Sequence, residues 1–94
     1  PSSFRLGPNY PNPFNPQTII PFTVPAAVSD AHLRVFNLLG QPIRTLVRGS
    51  LTAGPYTVSW DGRDDLGRSM SAGVYLYRLE AGEWGASGKM VKSE

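Results

Sequence analysis

The chain contains no cysteine, so neither disulfide bonds nor thiolate-bound zinc can stabilise it. Charge is also scarce: 17% of the 94 residues are charged and the formal net charge is +2, which does not fit a solvating tail. No apolar run approaches the ~20 residues of a membrane-spanning helix. A chain of this length buries roughly 60–65% of the surface that it exposes when unfolded. These properties predict one small domain that does not span a membrane.

Groups for catalysis or metal binding are sparse. His32 is the only histidine, and no serine or carboxylate is predicted beside it to complete a triad or a zinc site. It alternates with Leu33 and Val35, which predicts a solvated position on a strand. We expect no enzyme, no catalytic residues and no cofactor.

Two further patterns concern charged partners. Three carboxylates lie within Asp61–Gly67 and could bind calcium, but the order of acids in an EF-hand loop is missing and Asp-Gly is ordinary turn chemistry. We favour a polar hairpin loop, with calcium as the alternative, and assign no metal site. The seven arginines are dispersed singly, and phosphate binding prefers a concentrated patch, so no nucleic-acid partner is expected.

The first sixteen residues form a distinct segment. Four prolines fall between Gly7 and Pro16, and each restricts the residue before it to extended geometry. Tyr10 and Phe14 are its large apolar groups, and such rings usually attach a leader to a domain. The prediction is a docked strap over residues 1–16 and a β-sandwich over residues 17–94. Because the chain begins with Pro1 and lacks a signal peptide, we expect a fragment of a longer protein.

After Pro16, β-branched and aromatic runs alternate with glycine turns, and no window carries a helical stripe. Pro21 lacks a ladder donor, which predicts an edge strand, and Val74–Leu79 is apolar on both faces, which predicts a central one. The fold class is therefore all-β, an antiparallel two-layer sandwich of six or seven strands. The predicted strands are Thr18–Val24, Leu33–Leu38, Ile43–Val47, Tyr56–Trp60, Val74–Leu79 and Trp84–Val91.

Two turns share a pattern of apolar, hydroxyl, Ala, Gly, any residue and Tyr. They are Leu51–Tyr56 and Met70–Tyr75. The pattern predicts a tyrosine corner, in which the hydroxyl bonds back to the turn where the chain changes sheet, at one of the two sites. Such corners are typical of immunoglobulin-like sandwiches.

The two tryptophans receive different predictions. Trp60 ends a strand that alternates cleanly with Tyr56 and Val58, which places it in the core. Trp84 lies between Glu83 and Gly85 and is the more plausible exposed ring. An exposed ring is weak support for carbohydrate binding.

Several motifs together resemble one family. They are Asn9–Pro16 (NYPNPFNP), Thr18–Ile20, Val35–Gly40 (VFNLLG), Ala53–Asp64 with its WDGRD turn, Ser71–Leu79 (SAGVYLYRL) and Lys89–Val91. The chain resembles the type A C-terminal sorting domains of proteins exported by the type IX secretion system of Bacteroidetes and related phyla. The resemblance extends from about Leu6 to Val91. The polar Lys92-Ser93-Glu94 end departs from it, because members commonly finish with a short apolar run.

The resemblance implies an immunoglobulin-like, non-catalytic export signal. The upstream cargo would pass the outer-membrane translocon of a Gram-negative bacterium, and a sortase-like peptidase would then remove the domain at the cell surface. The domain would be a monomer, secreted or on the cell surface. The residues linked to recognition by position are Pro11, Asn12, Pro13, Gly73, Tyr75 and Lys89.

Two alternatives remain. The chain also resembles, at the level of the fold, an immunoglobulin-like module of flagellar hook-cap proteins. The second hypothesis is an immunoglobulin-like spacer or a carbohydrate-binding accessory of a secreted hydrolase. If it recruits a partner by main-chain pairing, the C-terminal strand offers the better edge, because Pro21 blocks a donor on the first strand.

Overall fold

A computed structural model describes residues 3–94. Residues 1 and 2, which belong to the predicted strap, lie outside the described residues. Seven β-strands and no helix are found among the described residues, so no helix there could cross a membrane. The strands are β1 (Arg5–Leu6), β2 (Thr18–Val24), β3 (Val28–Phe36), β4 (Pro42–Leu51), β5 (Gly54–Trp60), β6 (Gly73–Ala81) and β7 (Trp84–Lys92).

The strands form two sheets, one ordered β1-β2-β5 and the other β4-β3-β6-β7. All strand pairs are antiparallel, which confirms the predicted two-layer all-β sandwich. β6 is central, as its apolar residues on both faces predict, and β7 lies at an edge. β3 begins five residues earlier than predicted and ends at Phe36, not at Leu38, and β4 extends beyond both predicted ends. Polar residues such as Ser29 and Ser50 occupy the exposed ends that were not predicted.

The prediction of an edge strand at Pro21 is wrong, because β2 is the middle strand of its sheet. The Pro21 carbonyl accepts a hydrogen bond from the Gly7 amide at 2.9 Å, on the side of β1. The missing N–H faces that same side, because both main-chain groups of one residue point to one neighbour. The ladder to β5 therefore needs no donor from Pro21, and the strap replaces a regular partner on the other side.

A tyrosine corner is predicted at one of the two Ala-Gly turns, and the structure has one at each of them. The Tyr56 hydroxyl donates to the Thr52 carbonyl at 2.7 Å, where the chain passes from β4 to β5 and changes sheet. The Tyr75 hydroxyl donates to the Ser71 carbonyl at 2.7 Å, just before β6. Each bond fixes a turn at which the chain crosses between the two layers.

Three aromatic rings pack together at one end of the core. Trp60 is fully buried, as its alternation predicts, and lies between Phe14 and Tyr75 with ring centroids 5.6 and 5.4 Å away. These three rings join the strap, β5 and β6. Other buried core residues are Ile20, Phe22, Val24, Leu33, Val35, Tyr77, Leu79 and Met90.

Candidate functional site at the strap and the last strand

The strap, residues 3–16 as the structure describes it, follows β2 in the antiparallel direction before it turns back. Beyond β1, the Gly7 amide donates to Pro21, and Tyr10 exchanges main-chain hydrogen bonds with Ile19. The peptide bonds before Pro11, Pro13 and Pro16 are cis. This course leads the tip of the strap to the end of β7.

The two aromatic residues of the strap have different environments. Phe14 is 1% exposed and packs against Trp60, whereas Tyr10 is 50% exposed. The expectation that both rings attach the strap is therefore wrong for Tyr10. Its side chain lies opposite Ile19 at the surface, while Phe14 alone enters the core.

We name the contact between residues 12–15 and residues 91–94 the junction. The Phe14 amide donates to Val91 and its carbonyl accepts from the Ser93 amide, which makes a one-residue parallel bridge beside β7 at the edge of the sheet. The Asn12 side-chain oxygen accepts from the Val91 amide at 2.9 Å. Further bonds run from the Ser93 hydroxyl to Phe14 and from the Asn15 side chain to Glu94. The segment that enters the domain is thus bonded directly to its C-terminal residues.

The predicted recognition residues converge on this region. Asn12 bonds to Val91, while Gly73 and Tyr75 lie opposite Lys92 and Met90 in the β6–β7 register. Lys89 is three residues from the bonded end of β7 and exposed. Pro11, Asn12, Pro13 and Gly73 are exposed as well, but the Tyr75 side chain is 6% exposed and packs on Trp60. Tyr75 therefore shapes the site from beneath and presents no surface of its own.

A second tyrosine, which the sequence did not single out, fixes the strap from the four-stranded sheet. The buried Tyr77 hydroxyl donates to the Gly7 carbonyl at 2.9 Å and accepts from the Asn9 amide at 3.2 Å. Its ring crosses β7 above Gly88, where a Cβ would overlap the phenol. The signal that could have identified it is a tyrosine inside a buried strand, since a buried hydroxyl requires a partner.

Asn9 continues this polar contact into the strap. Its side chain is buried and donates to the Thr18 hydroxyl at 3.0 Å, and that hydroxyl donates to the Pro11 carbonyl at 2.9 Å. The Asn9 side-chain oxygen is buried without a partner among the described residues. The strap is therefore held by polar contacts at Gly7–Pro11 and by the Phe14 ring at its tip.

Replacing Tyr77 with phenylalanine should lower the free energy of unfolding by about 1–3 kcal/mol, because it leaves the Gly7 carbonyl and the Asn9 amide without this partner. Burial raises the pKa of Tyr77 above its usual 10.0, although the Asn9 amide lowers it in part. The neutral phenol thus stabilises the fold fully below pH 10, and this contribution is lost as pH rises through the raised value. Denaturant unfolding on both sides of that pH should show a steeper alkaline loss for the parent chain than for the variant. Equal slopes would contradict the assignment.

The acidic loop uses its carboxylates internally. Asp61 accepts from the Arg63 amide and pairs with Arg44 at 2.9 Å; partial burial opposes ionisation, but these contacts lower its pKa. Asp64 accepts from the Leu66 and Arg68 amides and the Arg68 side chain, which outweigh burial and lower its pKa too. No group of three or more potential metal-ligating side chains converges anywhere in residues 3–94. The contacts favour the structural loop over the calcium alternative.

Two predictions about isolated side chains need correction. A carboxylate does lie beside His32, because Asp30 is two residues earlier on the same strand and its oxygen is 3.3 Å from Nε2. Trp84 is not a free ring, since it is half-buried and stacks on Phe4 with centroids 4.9 Å apart. The strap thus covers the ring that could have supported carbohydrate binding.

The sequence matches the profile of the FlgD Ig-like domain over residues 12–84. The chain belongs to the FlgD Ig-like domain family. The match extends from the strap tip to the start of β7, so the family profile covers most of the sandwich.

Several solved structures share this fold. Latent, dimeric PorU from Porphyromonas gingivalis superposes with a TM-score of 0.75 at 16% identity, over 98% of this chain and 9% of PorU. FlgD from P. aeruginosa gives 0.61 at 21% identity, over 80% and 58%. PorZ, a surface component of the type IX secretion system of P. gingivalis, gives 0.57 at 14% identity, over 98% and 12%. No curated protein matches the sequence significantly.

These likenesses establish the fold of this FlgD Ig-like domain. The chain spans about a tenth of PorU and of PorZ, and 58% of FlgD. The immunoglobulin-like sandwich is therefore shared with proteins of the type IX secretion system as well as with FlgD.

Proposed function

We propose that this domain is a non-catalytic C-terminal sorting signal of the type A class. It directs an upstream cargo protein in the same chain through the type IX outer-membrane translocon. A sortase-like peptidase then removes it when the cargo is attached at the cell surface. The domain is a monomer that reaches the medium or the cell surface by way of the periplasm, and it needs neither metal nor cofactor.

The observation that carries this proposal is the junction. Five of the six predicted recognition residues are exposed, and they gather around the end of β7, where the segment entering from the cargo side is bonded to the C-terminal residues. Because the junction forms only when the strap and the C-terminal residues are both in place, a partner that binds there recognises a domain whose two ends are folded. The shared sandwich of PorU and PorZ agrees with the proposal, as does the order of the NYPNPFNP, WDGRD and GVYLYRL motifs.

The test is a transfer of residues 1–94 to the C-terminus of a periplasm-directed fluorescent protein, in a bacterium with a working type IX system. We expect fluorescence in the medium or on the cell surface, and none in a host whose translocon is disabled. Lys89→Ala should reduce export several-fold, because Lys89 is exposed at the recognition region. Arg48→Ala removes an exposed cation from β4, on the opposite edge of the same sheet, and should leave export unchanged.

The possible failures separate the alternatives. A folded, uncleaved fusion retained in the periplasm would favour an immunoglobulin-like spacer or an accessory module. Export that is equal for Lys89→Ala and the parent would keep the sorting role but remove Lys89 from the recognition residues. The mass of the exported product would locate the cleavage site.

A further inference from the structure

The outer edge of β7 is open over part of its length. The main-chain groups of Val91 point away from β6, as their hydrogen bonds to Phe14 and Asn12 of the strap show. Alternate residues of a strand share this direction, so the groups of Gly85, Ser87 and Lys89 also point outward. All three residues are exposed, and no hydrogen bond from residues 3–94 reaches these main-chain groups. The strap therefore closes the edge at one end and leaves an open section of three outward-facing residues.

The excess positive charge of the chain lies on the outer side of the same sheet. In formal charge, three arginines in and around the loop (Arg44, Arg63, Arg68) cancel its three aspartates (Asp61, Asp64, Asp65). Arg5 and Lys92 likewise cancel Glu94 and Glu83, of which Glu83 is exposed in the turn before β7. The outer side of the four-stranded sheet keeps four cations against two carboxylates, which equals the formal net charge of +2. The cations are Arg34, Arg48, Arg78 and Lys89, and the carboxylates are Asp30 and Glu80.

Two of these cations, Lys89 and Arg78, lie at the open section. Lys89 belongs to it, and Arg78 reaches it from β6 by donating to the Ser87 hydroxyl at 3.0 Å. The Arg78 side chain crosses Gly85, where an added Cβ would lie 2.5 Å from Nη2. The absence of a side chain at Gly85 thus lets a guanidinium lie close to the edge.

We propose that the open section of β7, Gly85–Lys89, pairs with an extended acidic segment of a partner protein. Such a segment would add a strand to the sheet by main-chain hydrogen bonds, with side chains at alternate positions giving selectivity. Its acidic side chains face Lys89 on the outer side, and they lie beside Arg78, which also pairs with Glu80 at 3.4 Å. Its intervening side chains are small, because Phe4 and Trp84 occupy the inner side near the start of β7.

The charges distinguish this partner from a second copy of the chain. Pairing of two β7 edges would bring Lys89 and Arg78 of one copy close to Lys89 and Arg78 of the other. Like charges opposite one another destabilise a sheet. An acidic strand meets the opposite condition. The inference deepens the proposed function and rests on it, since a sorting signal must be read by another protein.

The probe is an acetylated and amidated octapeptide that alternates Glu and Thr. Titration of the isotope-labelled chain should shift the amide resonances of Gly85, Ser87 and Lys89 most strongly, and added salt should weaken the binding. The same peptide with Lys in place of Glu is the control and should not bind. A parent chain that gives a folded spectrum and no response to the Glu peptide would overturn the inference.

Ser87→Pro is the decisive variant. The Ser87 amide points away from β6, so proline removes an outward donor without breaking the β6–β7 ladder. Ser87→Ala is its matched control, because both variants lose the bond to Arg78 and only one loses the amide. We expect Ser87→Pro to weaken peptide binding by about tenfold relative to Ser87→Ala. Lys89→Glu, which keeps all main-chain groups, should also weaken it several-fold.

The outcomes distinguish pairing from other kinds of contact. Equal binding by Ser87→Pro and Ser87→Ala, with loss only in Lys89→Glu, would identify a surface for polyanions and overturn the pairing proposal. If the fusion is exported while the folded chain ignores the Glu peptide, the inference fails and the sorting function stands. If the peptide binds as expected but export fails, the sorting function fails alone.

Discussion

Replacing Phe14 with alanine is expected to lower the free energy of unfolding by about 3–5 kcal/mol, the usual cost of truncating a fully buried phenylalanine. The ring is 1% exposed and belongs to the aromatic group with Trp60 and Tyr75. Its loss leaves a cavity where the strap, β5 and β6 meet. Because native proteins have free energies of unfolding of roughly 5–15 kcal/mol, we expect the folded state of this variant to be only marginally stable. Chemical denaturation followed by tryptophan fluorescence measures the change directly.

Tyr10→Ala provides the matched control within the same strap. Its side chain is 50% exposed, so truncation should change stability by about 0.5 kcal/mol or less. Limited proteolysis extends the test, because Phe14→Ala should make the strap accessible to cleavage before the sandwich unfolds. Equal destabilisation by the two variants would mean that the strap is not anchored through its tip. Loss of export in Phe14→Ala but not in Tyr10→Ala would link the junction to the proposed sorting role.

The local parts of this structure could be predicted because their signals are local. Alternation through Tyr56, Val58 and Trp60 gave a strand and its buried face, and the two Ala-Gly turns gave both tyrosine corners. Each depends on residues within a few positions of one another. The fold class follows from the same kind of signal, since turn chemistry and strand spacing repeat along the whole chain.

Apart from the contact of Asp30 with His32, the errors concern contacts between distant parts of the chain. Pro21 predicts an edge strand because a proline normally cannot serve a central strand, and the prediction is wrong because the strap lies on the side of its missing donor. The Asn12–Val91 and Tyr77–Gly7 bonds join residues 79 and 70 positions apart. No pattern in the sequence sets that register. The candidate site was therefore predicted as a set of residues, but not as the junction that brings them together.

Replacing Gly88 with alanine should lower the free energy of unfolding by about 1–3 kcal/mol, because the added methyl group overfills the space beneath the Tyr77 ring. Tyr77 cannot swing aside freely, since its hydroxyl bonds to Gly7 and Asn9 of the strap. Gly85→Ala is the matched control on the same strand. There the new methyl group meets the end of the flexible, half-exposed Arg78 side chain, so we expect a change of about 0.5 kcal/mol or less.

A double-mutant cycle with Tyr77→Leu tests the cause of the Gly88 effect. Leucine lacks the far end of the ring, so Gly88→Ala should cost little in that background, and the coupling energy should reach about 0.5–3 kcal/mol. Urea unfolding of the parent, the two single variants and the double variant gives all four free energies. A Gly88→Ala cost that is the same in both backgrounds would mean that the glycine serves the β7 backbone and not the tyrosine. Strong coupling would show that one contact holds β6, β7 and the strap together. There the Tyr77 side chain passes over Gly88, and its hydroxyl reaches Gly7 and Asn9 of the strap.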